Sequence, residues 1–300
     1  MKINMQFGFV LLTIIALVVL VMAGYETTKG VPWDQDQRLL IPAVPAHEMK
    51  QNVGNRNVVM IVEVVLILAA LVYGIRYWAK TGKPVLVLMM VGAALCSFGE
   101  PYNSFMVNLH YVVYDDFTVF QFMGRLMPLW LIMLYMVGYG TLGVFGYLWF
   151  SKGITKKGLW IFFAFQAFVD IALELPLVNI PGLYFYNGNE PLLFMRYPLW
   201  MLGINGVALV SCIAMASLLT PHLKGWQWLI LPLLMPVCAV TFGYGIISFP
   251  GHYVVNSPGI PWLVTQLGGI MSMALACGVI WAFSQFLCTD SHYDLLRKRL

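Results

Sequence analysis

Long apolar stretches, separated by short polar or Pro/Gly-rich breaks, dominate the pattern of the chain. A helix needs about 20 mostly apolar residues to span a bilayer. The stretches of about that length predict an all-α, polytopic integral membrane bundle of about eight transmembrane helices, forming a single domain over 1–300. They lie at about 7–24, 57–78, 84–104, 127–150, 158–177, 198–219, 227–249 and 262–287.

Lysine and arginine are concentrated on one side of these predicted helices. Of the 17 basic residues, the six on the other side are Lys29, Arg38, Lys50, Arg56, Arg125 and Arg196. Because cytoplasmic loops carry the excess of Lys and Arg, both termini are predicted to be cytoplasmic. The loops 25–56, 105–126, 178–197 and 250–261 then face outward. The predicted location is a bacterial inner (cytoplasmic) membrane, crossed many times.

The first apolar stretch has a second interpretation. Lys2 precedes it, and Val21-Met22-Ala23 is an acceptable signal-peptide cleavage site. The apolar run from Phe7 to Met22 is long for the core of a signal peptide, which favours a retained helix. The other seven predicted helices are the same in either case.

Composition excludes several classes of protein. The chain is 60% hydrophobic and 10% charged, with a mean hydropathy of +0.80, whereas soluble domains carry about 25% charged residues. The net charge of +4 reflects the cationic loops and forms no basic stripe for nucleic acid. The predicted partners are the lipid bilayer and a hydrophobic small-molecule substrate, without nucleic acid, and the oligomeric state stays open.

The histidines and cysteines do not form a recognisable cofactor or metal motif. The five cysteines lie in or beside apolar runs and are interpreted as small core residues. His110 and His252 fall in loops, where a solvated position is the expectation. The chain also lacks a phosphate-binding glycine loop, a nucleophile elbow and an HExxH pattern. We therefore predict no cofactor and no metal.

Four carboxylates lie inside the apolar segments: Glu63, Glu100, Asp170 and Glu174. A charge at the bilayer centre costs at least about 2.5–3.5 kcal/mol, so such residues usually face the bundle interior and mark a functional site. Asp170 and Glu174 share one helix face because their spacing is i,i+4. Glu100, Asp170 and Glu174 are the predicted catalytic residues. Glu100 and Glu174 also suit an interfacial, purely structural role near helix ends.

Other polar and aromatic residues are expected at about the same level of the bundle as these four acids. Together they predict a polar pocket that opens outward. Asn205 lies seven residues inside Pro198, and Arg125 and Arg196 flank helices, where each is a substrate-binding candidate or an interfacial anchor. The substrate-binding candidates are Glu63, Tyr102, Asn103, Arg125, Tyr184, Arg196, Trp200, Asn205, Tyr244 and Gln266.

Three segments of the chain form one pattern: Leu173–Val178, Gly182–Gly188, and Pro198-Leu199-Trp200 with Asn205. This pattern resembles the AveC-like spirocyclase family, membrane proteins named for a member that shapes the spiroketal of avermectin-type macrolides. Gly99-Glu100-Pro101-Tyr102-Asn103 is similar to the acidic segment that closes the third helix in that family. The resemblance covers about residues 95–205. It implies a dehydratase or spiroketal-forming activity, in which a dihydroxy-ketone closes on itself with loss of water.

The acid/base chemistry of such a reaction suits the predicted pocket. We assign the Asp170/Glu174 pair as the acid, Glu100 as the base or cation stabiliser, and Asn205 with Tyr244 as orienting groups. Integral-membrane terpene cyclases would use the same acids on a hydrocarbon. A proton-coupled transporter or lipid carrier, and a structural subunit, are the alternatives that are not enzymes.

Overall fold

The computed structural model describes residues 52–112, 116–123 and 125–290. It is mostly helical, and seven of the helices it describes are long and apolar enough to cross a membrane, which makes the chain a multi-pass membrane protein. These spans are α1 Val53–Thr81, α2 Val85–Met106, α3 Leu129–Phe150, α4 Lys156–Asn179, α5 Met201–Leu219, α6 Gly225–Ile247 and α8 Trp262–Leu287; a short helix, α7 Phe249–Val255, precedes the last.

Seven of the predicted spans are therefore confirmed, with ends shifted by a few residues. The predicted helix at 7–24 and most of the loop at 25–56 lie outside the described residues. Local chemistry explains several of the observed ends. The Asn52 side chain accepts a hydrogen bond from Asn55 at the start of α1, and Thr155 does the same for Gly158 in α4. Gly82 ends α1 with a φ of 72°, a left-handed conformation that glycine adopts without strain.

The two ends of the bundle differ in composition. At one end, which we call the lysine end, short connections at 82–84, 151–155 and 220–224 join consecutive helices. The backbone N–H of Thr289 donates to Ile154 at 2.9 Å, which places the end of α8 there too. The lysines of this end are Lys80, Lys83, Lys152, Lys156, Lys157 and Lys224.

The opposite end, which we call the loop end, carries six short strands and α7. The strands are β1 Leu109–Tyr111, β2 Thr118–Phe122, β3 Arg125–Pro128, β4 Tyr184–Tyr186, β5 Leu193–Phe194 and β6 Tyr197–Pro198. They pair antiparallel as β1–β4, β2–β3 and β5–β6. The β1–β4 pair, with His110 opposite Phe185, joins two loops that are more than 70 residues apart in the sequence. Apolar periodicity could not predict this long-range pairing.

Helix α5 lies at the centre of the bundle. It is the most buried of the spans, and it packs against α3, α4, α6 and α8. Small residues allow the backbones to approach closely, as is usual where helices pack within a membrane. A Cβ atom added at Gly243 of α6 would lie 2.5 Å from the Cβ of Ala208 in α5.

We expect Gly243→Leu to lower the free energy of unfolding by about 1–3 kcal/mol, because the new side chain has no room between α5 and α6. Gly278→Leu is the matched control, since a Cβ at Gly278 meets nothing within 4 Å. Thermal unfolding in detergent micelles measures the difference. Equal unfolding midpoints for the two variants would contradict the close packing of α5 on α6.

Candidate functional site

A cavity lies inside the bundle towards the loop end, between α3 and α4. It comprises about 800 Å³ of atom-free space including its opening, of which about 100 Å³ admits the centre of a water-sized molecule. Its polar lining is made of carboxyl, tyrosine and amide side chains: Glu100, Asn103, Tyr111, Tyr135, Tyr139, Gln166, Asp170, Glu174, Tyr184, Tyr186, Asn205 and Tyr244. The rest of the wall is leucine, valine, methionine and glycine.

Glu100 is buried in α2 and is held by hydroxyl and amide donors. The α2 helix tightens into a 3₁₀ turn over Ser97–Gly99, immediately before it. The hydroxyl groups of Tyr111 and Tyr135 donate to its two carboxyl oxygens. The side-chain amide of Asn103 donates to Oε2 at 3.2 Å. These donors replace the water that the carboxyl group loses on burial.

Three tyrosines extend this network deeper into the bundle. The hydroxyl of Tyr135 lies 3.0 Å from that of Tyr244, which lies 2.7 Å from that of Tyr139. A π-helical turn over Met136–Thr141 lies beside Tyr135, and another over Ala239–Ile247 contains Tyr244. Such turns change which helix face a side chain occupies and are frequent at functional sites. The result is a continuous chain of hydroxyl groups that ends at Glu100.

Asp170 and Glu174 form the second carboxyl site of the cavity, a pair on one face of α4. The side-chain amide of Asn205 in α5 donates to Asp170 Oδ2 at 3.0 Å, and the hydroxyl of Tyr197 donates to the same oxygen at 3.2 Å. The hydroxyl of Tyr184 donates to Glu174 Oε2. Both acids stay partly accessible because they face the cavity.

Cationic side chains are missing from the lining of this cavity, as far as the described residues go. The ion pair described in the structure, Arg56 with Asp116, lies elsewhere at the loop end.

Burial raises the pKa of Tyr111, and the neighbouring Glu100 raises it further. Burial, Glu174 and Glu190 raise the pKa of Tyr186 in the same direction. Both phenols therefore keep their protons at neutral pH, and the Tyr111 hydroxyl acts as a hydrogen-bond donor to Glu100.

The cavity brings together seven of the residues that the sequence predicted. They are the catalytic candidates Glu100, Asp170 and Glu174, and the substrate-binding candidates Asn103, Tyr184, Asn205 and Tyr244. The other six candidates do not line it: Glu63, Tyr102, Arg125, Arg196, Trp200 and Gln266.

Those six candidates occupy other environments. Arg196 is exposed and Tyr102 packs against the core. Trp200 is buried and donates to Glu190 at 3.3 Å, and Gln266 accepts from the backbone of Leu192 at 2.8 Å.

Arg125 is buried beside the β1 strand. Its Nη1 donates to His110 Nδ1 at 2.6 Å. Burial lowers its pKa to about 10. His110 lies between Leu109 and Tyr111, the two β1 residues that line the cavity. Because side chains alternate along a strand, His110 and its arginine partner lie on the other face of β1 and not in the cavity.

Glu63 is a buried acid of a different kind. It lies on the inner face of α1, and neither of its carboxyl oxygens has a hydrogen-bond partner within the part of the chain that the structure describes. The carboxyl groups of the cavity, by contrast, all accept hydrogen bonds. The intramembrane acids predicted from the sequence thus divide into a hydrogen-bonded group of three and one separate residue.

Sequence reasoning missed several lining residues. Tyr135, Tyr139 and Gln166 lie within apolar helices, where their polar atoms were a usable signal. Tyr111 and Tyr186 lie in the predicted outer loops 105–126 and 178–197. Their partners come from distant parts of the chain, so spacing carried no signal for them.

Buried titratable groups at the loop end were also missed. Glu190 falls in the predicted outer loop 178–197, but it is buried, and desolvation raises its pKa well above the ordinary value. The expectation that His110 and His252 are solvated is wrong, because His110 is half-buried and His252 is buried against Trp200. Burial lowers the pKa of each histidine to about 3, with Arg125 contributing at His110.

Metal-ligating side chains are dispersed in the described ranges, which contain no group of three or more His, Cys, Asp or Glu residues able to hold a metal ion. No protein-family model, curated protein or solved structure matches the chain. The geometry of the cavity is therefore the basis for assigning a function.

We expect His252 to lower stability in acid. Its folded pKa of about 3 lies below the ordinary 6.5, so the unfolded chain binds the proton first. Its contribution is complete above pH 6.5 and is lost as the pH falls towards 3, by up to about 1.4 kcal/mol per pH unit. His252→Phe should flatten this dependence in detergent-based unfolding between pH 7 and 5.

The exposed His222, replaced by Phe, is the matched control and should leave the dependence unchanged. The raised pKa of Glu190 works in the opposite direction, since its stabilisation is present below pH 4.5 and is lost as the pH rises. Only the difference between the two variants isolates His252. Parallel curves for both variants would contradict its burial as a neutral ring.

Proposed function

We propose that the protein is a membrane-embedded, cofactor-independent acid/base cyclase or dehydratase that acts on a hydrophobic hydroxy-ketone or a polyketide- or lipid-like substrate. One observation carries the proposal: Glu100, Asp170 and Glu174 face one cavity, held by hydroxyl and amide donors instead of cations. Carboxyl groups in different surroundings are the arrangement by which enzymes divide acid and base roles without a cofactor.

Closure of a dihydroxy-ketone to a spiroketal passes through an oxocarbenium ion. One proton is donated to form this ion, and one is removed after the ion has been attacked. A hydroxyl oxygen adds to the carbonyl carbon to give a hemiketal, and a proton from the Asp170/Glu174 pair lets its hydroxyl leave as water. The second hydroxyl attacks the resulting oxocarbenium ion and gives its proton to Glu100. The products are one spiroketal and one water, and return of that proton to the pair completes the cycle.

The distribution of partners supports these roles. Glu100 and the Asp170/Glu174 pair line the same cavity, so both carboxyl sites can serve one substrate. Two tyrosine hydroxyls hold Glu100, which orients it as the base or cation stabiliser. Asn205, bound to Asp170, and Tyr244, bound to Tyr135, are placed to orient substrate oxygens. The tyrosine ring faces suit stabilisation of a transient cation.

The resemblance to AveC-like spirocyclases points to the same reaction. Two segments that carry it, around Glu100 and around Glu174, each contribute a carboxyl group to the cavity. A terpene cyclase would use the same acids to protonate an alkene or epoxide, and it would release no water. These two activities differ in the mass change that they cause.

We expect Glu100→Gln and Glu174→Gln each to reduce turnover by about 10²–10⁴-fold, the usual contribution of a general acid or base. Each variant is expressed in a deletion background of native cells, and lipid and polyketide extracts are compared by untargeted mass spectrometry. Cyclodehydration predicts an accumulating species about 18 mass units heavier than the lost product, the mass of one water.

Glu190→Gln is the matched control, because Glu190 is a buried carboxyl group at the loop end that does not line the cavity. It should keep the wild-type product profile at normal expression. An equal-mass pair would favour cycloisomerisation, as in a terpene cyclase. Full activity in both cavity variants would refute the assignment, and a mere shift of a compound between cells and medium would favour a carrier.

A further inference from the structure

Helices α3 and α4 are consecutive in the chain but diverge towards the loop end. Each packs extensively on α5, whereas they make little backbone contact with each other. Their ring contacts lie near the lysine end, where Phe145 meets Phe165 and Phe150 meets Phe162, with centroids 6.0 and 5.5 Å apart. A cleft therefore opens between the two helices beyond these rings, with α5 as its floor.

The walls of this cleft are the apolar walls of the cavity. Leu134, Gly138 and Leu142 line it from α3, and Val169 and Leu173 line it from α4; all are partly accessible. A Cβ atom at Gly138 would meet nothing within 4 Å. The space between the helices is thus open at this level.

The loop end of the cavity is covered by aromatic rings. The ring of Trp130 stacks on that of Tyr184 at a centroid distance of 6.2 Å. Tyr111 contacts both rings edge-on, at 5.7 and 6.1 Å. Trp130 is only 1% exposed. The strands that supply Tyr111 and Tyr184 therefore lie across the end where the sequence predicted an outward opening.

The open side of the cavity lies at membrane depth. Gly138 is nine residues inside the start of α3 at Leu129, or about 14 Å along the helix, and the hydrocarbon core is about 30 Å thick. Phe145 of α3 and Phe168 of α4 are exposed on the surfaces beside the cleft, 51% and 69% respectively. Lipid chains are the natural neighbours of such a surface.

We infer that the cavity opens sideways into the bilayer through the cleft between α3 and α4, and that it admits an uncharged, membrane-dissolved amphiphile. The hydroxyl or carbonyl oxygen of that molecule reaches the carboxyl groups, and its apolar chain remains in the cleft. An anionic substrate does not fit, because three acids and no cation line the cavity within the described residues. For its reaction, though not for its route, this inference rests on the proposed function.

The test uses photolabelling of the full chain in phospholipid nanodiscs. The probe is a long-chain alcohol with a diazirine beside the hydroxyl group, and mass spectrometry maps the labelled residues. We expect labels on Glu100, Asp170 or Glu174. Gly138→Trp should fill the cleft and reduce this labelling about tenfold, equivalent to about 1.4 kcal/mol of binding.

Two further variants and two probes make the outcome specific. Gly278→Trp adds the same side chain to α8, where a Cβ also meets open space, and should leave labelling unchanged. Leu173→Trp fills the cleft from α4 and should act like Gly138→Trp. A short, water-soluble diazirine alcohol and the sulfate ester of the long-chain probe should both label the carboxyl groups weakly.

Strong labelling by the short probe that persists in Gly138→Trp would overturn the lateral route in favour of an aqueous one. Strong labelling by the sulfate would overturn the inference about charge. The route and the reaction fail separately. Full activity in both Glu100→Gln and Glu174→Gln, with labelling blocked by Gly138→Trp, removes the reaction and leaves the route. Loss of activity in Glu174→Gln, with labelling insensitive to Gly138→Trp, removes the route and leaves the reaction.

Discussion

Hydrogen bonding of carboxyl groups inside the membrane is the constraint on which the rest of the structure depends. An acid placed there without a donor costs several kcal/mol, and the described part of the cavity lining supplies no cation to offset it. The donors come from Tyr111 in β1, Tyr184 in β4, Tyr135 in α3 and Asn205 in α5. The loop-end strands must therefore lie across the end of the bundle, where they both satisfy the acids and close the cavity.

The central position of α5 has a second consequence. Because α3 and α4 both pack on α5 and touch each other mainly through rings near the lysine end, the acids of α4 stand beside the cleft between the two helices. A reaction that passes through a cation gains from this position, since the low dielectric strengthens the attraction of a carboxylate. Water could intercept the cation, and the rings of Trp130, Tyr111 and Tyr184 exclude it from the loop end of the cavity. Stability and the proposed chemistry thus use the same contacts.

Sequence and structure agree on the positions of the helices and differ on which side chains contact each other. The spans were predictable because hydrophobic length is a local property, and Glu100, Asp170 and Glu174 were predictable because acids are rare in apolar runs. Trp200 does not line the cavity and Glu190 is buried, because the segment that carries them folds back into the core and pairs them with each other. No local pattern encodes that contact.

The sequence by itself determined the membrane class, seven of the helices and which of these helices carry acids, because hydropathy and residue type are read directly along the chain. The tertiary structure alone decided which donors meet which acids and which way the cavity opens. Tyr135 reaches Glu100 across 35 residues, and Tyr244 reaches Tyr135 across 109. Such pairings depend on how the helices pack around α5 and on two π-helical turns. Contacts between residues far apart in the chain set both features, so no local sequence pattern encodes them.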